Sequence, residues 1–359
     1  TDDARLVLGV LRAAVREGAV VASRLPVTGV VAEGGRVVGV RARDDGPGRQ
    51  GDREVMVRGA VVVNAAGPWV DDLVRMEFDA VAPGTEPTMR LHLSRGIHVV
   101  LDRGRLPVEH LIICTAEDKR SIFAIPRGDV VYIGTTDTSY AGDRPLWPEV
   151  EADDVRYLLA PMSRYFDIDP LTVEDVIAAW AGVRPLIAQP GKVAKEISRK
   201  DEVTVGPGGV VSIAGGKLTG FRQMAADVVE VVASQLGRPL REGPGLAPIP
   251  GGDPMPVGSD VDPRLVRLYG AEAPAVLAMG DEPLVDGASV VSGEVSWAVD
   301  VEAAQTLEDV IYRRARLAWF VPQHRVALTQ AIAPLMAQRL GWSEARREQE
   351  VATVLALSL

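Results

Sequence analysis

Cysteine is almost absent from this chain of 359 residues. Cys114 stands alone, so no internal disulfide can form, and a reducing compartment is the simplest setting. Basic charge is also in deficit: 39 Lys and Arg face 49 Asp and Glu, for a net charge of -10. That balance argues against a nucleic-acid partner, which needs a basic face, although a local basic patch can still hold a small anion. No apolar run reaches about 18 residues, so no transmembrane helix is expected. Attachment to a membrane surface needs only an amphipathic face and stays open. The N-terminus shows no signal-peptide pattern, and there is no internal repeat or low-complexity tract. What is present is ordinary for a folded chain, 47% hydrophobic and 25% charged, and the length suits two or three domains.

The chain is organised around Ser212 to Arg222, S-I-A-G-G-K-L-T-G-F-R. An apolar, β-prone run (209–214) meets Gly215 and Gly216, then Lys217. A segment of helical spacing follows, with Leu218, Phe221, Ala225 and Val228 expected on one face. Glycines let backbone approach a flat or phosphorylated ligand. The first N–H groups of a helix have no partner within it and favour negative charge, and Lys217 adds a mobile cation. An ordinary strand-to-helix turn with a surface lysine fits the same residues.

The chain opens on a helix capped by Thr1 to Asp3 and ended by Gly18. Residues 19 to 67 read as β: a short apolar strand at Ala19–Ser23, then a hairpin of Val27–Ala32 and Arg36–Arg43 around Glu33-Gly34-Gly35. Gly46 to Gly51 matches G-x-G-x-x-G. With a proline inside, acidic residues around it and a strand-like run after it, this is a hairpin loop and not a dinucleotide site. Ala60 to Ala66 has the pattern of a buried strand. Gly67-Pro68-Trp69 then turns into a helix with Asp71 and Asp72 in its first turn.

A second block, 88 to 186, places His92, Arg95 and His98 on the run Leu91–Leu101. Ser121–Pro126 and Val130–Thr136 pair across Arg127-Gly128-Asp129, a helix covers Asp153–Phe166, and Val173–Gly182 leads into Val183-Arg184-Pro185. Arg184 precedes a proline and is therefore biased to extended backbone, which aims its guanidinium from a strand. Arg199 lies before Val203–Val205. Taken singly, such an arginine is a surface charge and such a histidine a packing residue more often than either is functional. Residues 238–259 are rich in Gly and Pro and read as a linker. Helical spacing follows at Pro263–Tyr269, Ala273–Met279, Val299–Gln305, Leu307–Trp319, Val326–Leu340 and Ser343–Leu357.

Taken in order, Val63-Asn64-Ala65-Ala66-Gly67-Pro68-Trp69, Gly96-Ile97-His98-Val99-Val100, Glu117-Asp118-Lys119-Arg120, Ile133-Gly134-Thr135-Thr136-Asp137, Gly182-Val183-Arg184-Pro185-Leu186 and Gly215-Gly216-Lys217-Leu218-Thr219 resemble the FAD-dependent glycerol-3-phosphate dehydrogenase family. Thr306 to Val310 with Arg313 to Leu317 resembles that family's helical C-terminal domain. The likeness covers nearly the whole chain, with one large departure: the glycine-rich strand–turn–helix that seats the ADP half of FAD has no counterpart here. The chain thus reads as a portion of the enzyme from which the FAD fingerprint region is missing, so its own flavin affinity and activity are open. Exposed apolar faces and low solubility are expected of it.

The resemblance implies an α/β (α+β) flavoprotein. Residues 1–70 and 187–237 would form an incomplete Rossmann-like FAD-binding domain, 71–186 an antiparallel-sheet substrate domain, 238–257 the linker and 258–359 an all-helical domain. It implies oxidation of glycerol 3-phosphate to dihydroxyacetone phosphate, with His98 as base, Arg184 and Arg199 on the substrate phosphate, and Lys217 near flavin and substrate. Val27, Ala66, Gly67, Trp69, Gly215, Gly216, Leu218 and Thr219 would contact FAD. Electrons would pass to a quinone, from a cytoplasmic protein peripheral to the membrane and able to dimerise. A flavin-dependent amine or amino-acid oxidase and an inactive fragment remain the alternatives.

Overall fold

The computed structural model describes residues 2–46, 53–87, 91–144, 146–189, 200–240, 245, 247–254 and 260–357. The Gly46–Gly51 loop is described only at Gly46, the linker only in part, and Arg199 lies outside the described residues.

Helix α1 (Asp3–Arg16) starts where the Asp2 carboxylate accepts the Arg5 N–H, the usual solution for a helix's unpaired donors. One face docks on the C-terminal helices. Arg12 grips Glu272 through two hydrogen bonds of 2.6 and 2.7 Å, and Arg5 reaches Glu302 and the Leu268 carbonyl. The strand expected at Ala19–Ser23 does not form. Those residues are irregular and Val20 is 96% exposed, because no neighbouring strand pairs with so short a run.

The expected hairpin does form, as β1 (Val27–Glu33) and β2 (Arg36–Arg43), joined through Gly34 and Gly35 and extended by β3 (Glu54–Arg58) in antiparallel order. Two positive φ values, 58° and 78°, are what a two-residue hairpin turn requires. The buried strand expected over 60–66 shrinks to β4 (Val63–Asn64), with Val63 44% exposed. An apolar run is buried on both faces only when neighbours flank it, and among the described residues β4 pairs with one strand. Helix α2 (Val70–Val81) packs Val70 and Val74 toward Ala214, and Met76 and Val81 toward Val30 and Val37. Its buried Glu77 accepts the Gly208 and Val210 N–H groups at 2.8 and 3.1 Å.

The second sheet runs β10 (Val176–Ile187), β5 (Leu91–Asp102), β8 (Val130–Gly134), β7 (Ser121–Arg127), β6 (Ile112–Thr115), with β9 (Thr138–Ser139) also on β5. All its pairs are antiparallel, as expected for the substrate domain. Side chains alternate across a strand. Ile97, Val99, Leu101 and Ile133 therefore share a core with Leu158, Leu159 and Met162 of helix α3 (Ala152–Tyr165). Val100, Val130 and Ala178 face the other way, into the C-terminal helices.

A small sheet, β11 (Glu202–Val205), β12 (Val211–Ala214) and β4, has β12 and β4 parallel. Helix α4 (Phe221–Leu236) covers it through Met224, Val228, Val231 and Val232. The packing face is thus turned from the expected one: Leu218 and Ala225 are exposed, because Met224 competes for the sheet.

The C-terminal region is helical: α5 (Pro263–Tyr269), α6 (Ala273–Ala278), α7 (Ser292–Asp300), α8 (Leu317–Phe320), α9 (Arg325–Leu340) and α10 (Glu344–Ala356). Two boundaries depart from helical spacing. The helix expected at 299–305 lies at 292–300, and residues 301–305 are a turn and irregular chain. The helix expected over 307–319 divides into a π-helical segment, Asp309–Arg314, and α8. Arg316, at φ 59°, breaks the run between them.

Candidate active site

Strands β5, β8 and β10 meet in a continuous register that sets Trp180 opposite His98, Gly182 opposite Gly96 and His98 opposite Gly134. Opposed residues share a face, so His98, Trp180, Arg184 and three glycines lie on one side of the sheet. The glycines divide that surface. A Cβ on Gly134 would stand 2.1 Å from His98 Cδ2, and one on Gly96 would stand 2.0 Å from an Arg184 guanidinium nitrogen. The imidazole and the guanidinium therefore rest directly on backbone. Above Gly182, by contrast, nothing lies within 4 Å of a built Cβ. The result is a small open floor bounded by Trp180 on one side and Arg184 on the other.

A guanidinium and a carboxylate stand together beside the imidazole. Arg184 donates to the Thr136 carbonyl at 3.0 Å and to Thr135 Oγ1 at 2.8 Å, with Asp137 3.6 Å away. Asp137 also accepts the Ser94 hydroxyl. The peptide between Gly134 and Thr135 is cis. His98 stacks on Trp180 with ring centres 4.9 Å apart and planes at 12°. Burial, and then the charge of Arg184, push the His98 imidazole down to about 4. At neutral pH the ring is uncharged and able to accept a proton.

β10 carries this surface toward the glycine-rich turns. It packs on the turn Gly67–Trp69, and its last residue, Ile187, lies 3.3 Å from where a Gly215 Cβ would sit. Arg144 ties the two regions, donating to the Pro68 carbonyl at 2.9 Å and to Asp72. Gly67 has φ +57° with open space beside it, and Trp69 is 37% exposed. Buried Asn64 fixes the approach to that turn: it donates to the Val70 carbonyl and Ser212 Oγ and accepts the Ala66 N–H. After the neighbouring parallel strand β12, the turn that begins the α4 segment starts at Lys217 with no side-chain cap, and Lys217, Leu218 and Thr219 are all exposed.

The arrangement fits a flat anionic ligand. One turn presents open backbone and an indole, and the other offers uncapped N–H groups beside a lysine. Gly215 and Gly216 have a second reason to be glycine: at φ 76° and 74°, added Cβ atoms would meet the Lys200 carbonyl at 2.5 Å and Met224 sulfur at 2.6 Å. Val27 opens β1, opposite Ala42, and has no described contact with either turn.

Sequence reasoning thus picked out His98 and Arg184, which the structure brings to one surface, and the two turns at its end. It passed over Trp180, Gly96, Gly134, Gly182 and Arg144 as site residues. The pairing register reveals Trp180 and the three glycines, and only side-chain contacts reveal Arg144, although Trp180, Gly182 and Arg184 follow one another at intervals of two, the spacing of one strand face. Among the described residues no strand–GxGxxG–helix unit occurs, no group of side chains could hold a metal ion, and no helix is long and apolar enough to cross a membrane.

Comparison with known proteins matches residues 1–235 to the family described as FAD dependent oxidoreductase, and residues 217–347 to the C-terminal domain of alpha-glycerophosphate oxidase. An aerobic glycerol-3-phosphate dehydrogenase of Staphylococcus haemolyticus is 38% identical over 238 residues, 66% of this chain and 41% of that protein. One from Staphylococcus aureus is 31% identical over 97% of this chain and 66% of its own length. The glycerol-3-phosphate dehydrogenase of Bacillus halodurans, solved with FAD, superposes with a TM-score of 0.83 at 31% identity, covering 99% of this chain and 72% of that one. The chain thus spans 41% to 66% of these two curated relatives.

Proposed function

This chain belongs to the FAD dependent oxidoreductase family, among its glycerol-3-phosphate dehydrogenases, and from that membership we propose that it takes part in the oxidation of sn-glycerol 3-phosphate to dihydroxyacetone phosphate. The observation that carries this reading is the open floor at Gly182, with a neutral imidazole at one end and a strand-held guanidinium at the other.

Arg184 meets the phosphate dianion with the forked donors that suit it. Arg199 is a second phosphate contact on the resemblance alone. His98 Nε2 accepts the proton of the C2 hydroxyl. Burial is the larger cause of the depressed His98 basicity and Arg184 the smaller; a dianion beside Arg184 offsets the second, so the bound substrate strengthens its own base. FAD, when bound, supplies the hydride acceptor. Lys217 and the N–H groups of Leu218 and Thr219 hold negative charge at the turn, while Ala66, Gly67, Trp69, Gly215 and Gly216 give flat access; Val27 is a flavin contact on the resemblance alone. Residues 1–70 and 187–237, with α2 packed between them, form the flavin-binding part; the rest of 71–186 carries substrate, and 258–359 cap the sheet. On the resemblance alone, the electrons go on to a quinone at a membrane surface, from a cytoplasmic protein able to dimerise. The names of the relatives and the C-terminal match favour this over the amine oxidases.

The test is an anaerobic absorbance scan of the protein with FAD. Glycerol 3-phosphate should bleach the flavin band and glycerol should not. A bound flavin that neither compound bleaches would overturn the reading.

A further inference from the structure

The sequence holds 6 Trp, 6 Tyr and 5 Phe, few for its length, yet several converge behind one histidine. Trp180 lies flat on His98. Its other neighbours are Trp319 at 5.3 Å, Phe320 at 6.1 Å and Tyr132 at 5.9 Å between ring centres. Trp319 is itself held by Trp147 and Tyr312, at 5.9 and 5.0 Å, and donates its indole N–H to the Tyr312 carbonyl. Trp319 and Phe320 belong to α8. A ring stack therefore runs from the C-terminal helices through β10 to His98.

Histidines that accept protons in enzymes are commonly oriented by a hydrogen bond from the second ring nitrogen to a carboxylate or carbonyl. Among the described residues His98 has no such bond. What constrains its plane is steric: Trp180 on one face and the bare backbone of Gly134 on another side. Offset or parallel stacking of this kind fixes ring orientation and keeps water off the face it covers.

We propose that Trp180 is a positioning residue, which, clamped by Trp319 and Phe320, sets the plane of the His98 imidazole, so that the C-terminal helices act on the site through a stack of rings. The inference rests on the reading that His98 is the base. The charged and titratable groups facing His98 are Arg184 from β10 and Tyr132 from β8. Beyond them Arg127 and Arg316, both paired with Asp2, stand against Phe320. Removing the indole opens the ring to water, and its proton affinity returns toward that of a free histidine.

The experiment follows the titration of the protein's 4 histidines by NMR, with His98→Gln for assignment, in Trp180→Leu, Trp180→Phe and Trp319→Leu. In the unaltered protein the His98 signal should titrate near 4, held down by burial and by Arg184. Trp180→Leu should raise that by about one pH unit or more, Trp180→Phe should restore most of it, and Trp319→Leu should shift it less, in the same direction. In turnover, Trp180→Leu should lower kcat on the order of tenfold or more with KM little changed, and Trp180→Phe should rescue it. A His98 titration that is the same in folded Trp180→Phe, Trp319→Leu and Trp180→Leu overturns the proposal. Should Trp180→Leu fail to fold, identical titration in the other two overturns it equally. The titration needs no turnover, so a protein inactive on glycerol 3-phosphate would sink the proposed reaction while leaving this test intact.

Discussion

Gly134→Ala is the sharpest perturbation this site offers, because one methyl group meets a ring that has nowhere to go. The added Cβ would stand 2.1 Å from His98 Cδ2, 2.5 Å from Nε2 and 2.8 Å from Cγ, against about 3.4 Å for ordinary contact. The ring must retreat by more than an ångström. Trp180, stacked 4.9 Å away, blocks one direction and is itself backed by Trp319 and Phe320. Overpacking of this kind costs about 1–3 kcal/mol, and a catalytic group displaced by about 1 Å loses on the order of a hundredfold in rate. Thermal or denaturant melting should show the destabilisation, and anaerobic flavin reduction should show the fall in kcat. Gly96→Ala is the matched comparison. There the clash is with the far end of Arg184, a flexible group, so the expected loss is in KM. If Gly134→Ala melts and turns over like the unaltered protein, the ring is not pinned and the account of the site is wrong.

Gly182→Leu should leave the melting transition nearly unchanged, since its floor is empty, while weakening substrate binding; isothermal titration with glycerol 3-phosphate checks this. The His98 imidazole falls from 6.5 to about 4, so the unfolded chain takes up that proton first. This contribution to stability is present above pH 6.5 and is lost as pH falls toward about 4, roughly 3 kcal/mol by the usual conversion; denaturant melts across that window, compared with those of His98→Gln, isolate it. Glu77→Ala leaves the buried Gly208 and Val210 N–H groups without their acceptor and should cost about 2–4 kcal/mol, read from a shifted denaturation midpoint. Cys114 is buried on β6, and that burial raises its thiol pKa, so labelling by a thiol reagent at neutral pH should be slow until the protein is unfolded.

Local signals carried the fold where one element could satisfy itself. The Gly34-Gly35 hairpin, the strand that aims Arg184 and the first helix, capped at Asp2, all follow from turn chemistry, the proline restriction and capping. Reading failed where burial depended on a neighbour. The run at 60–66 looked like a buried strand because apolarity is all a sequence shows, whereas its exposure reflects how many strands flank it. Helical spacing over 307–319 concealed a π-helical segment and the left-handed Arg316, since both leave the periodicity nearly intact. In the site, motif order pointed to His98 and Arg184, but the roles of Gly96, Gly134 and Trp180 are properties of cross-strand register. No window along the chain contains them.

The docking of α1 has a temporal side. Arg5 and Glu302 are 297 residues apart, and Arg12 and Glu272 are 260 apart. At about 5–20 residues per second of synthesis, the first helix emerges on the order of 15 to 60 seconds before its acceptors exist. Through that interval its apolar face and its arginines are unmatched, and the contact that finally closes is among the longest-range in the molecule. Closing such a contact is entropically demanding and late, so the docking of α1 is expected to be one of the last steps by which the fold is completed.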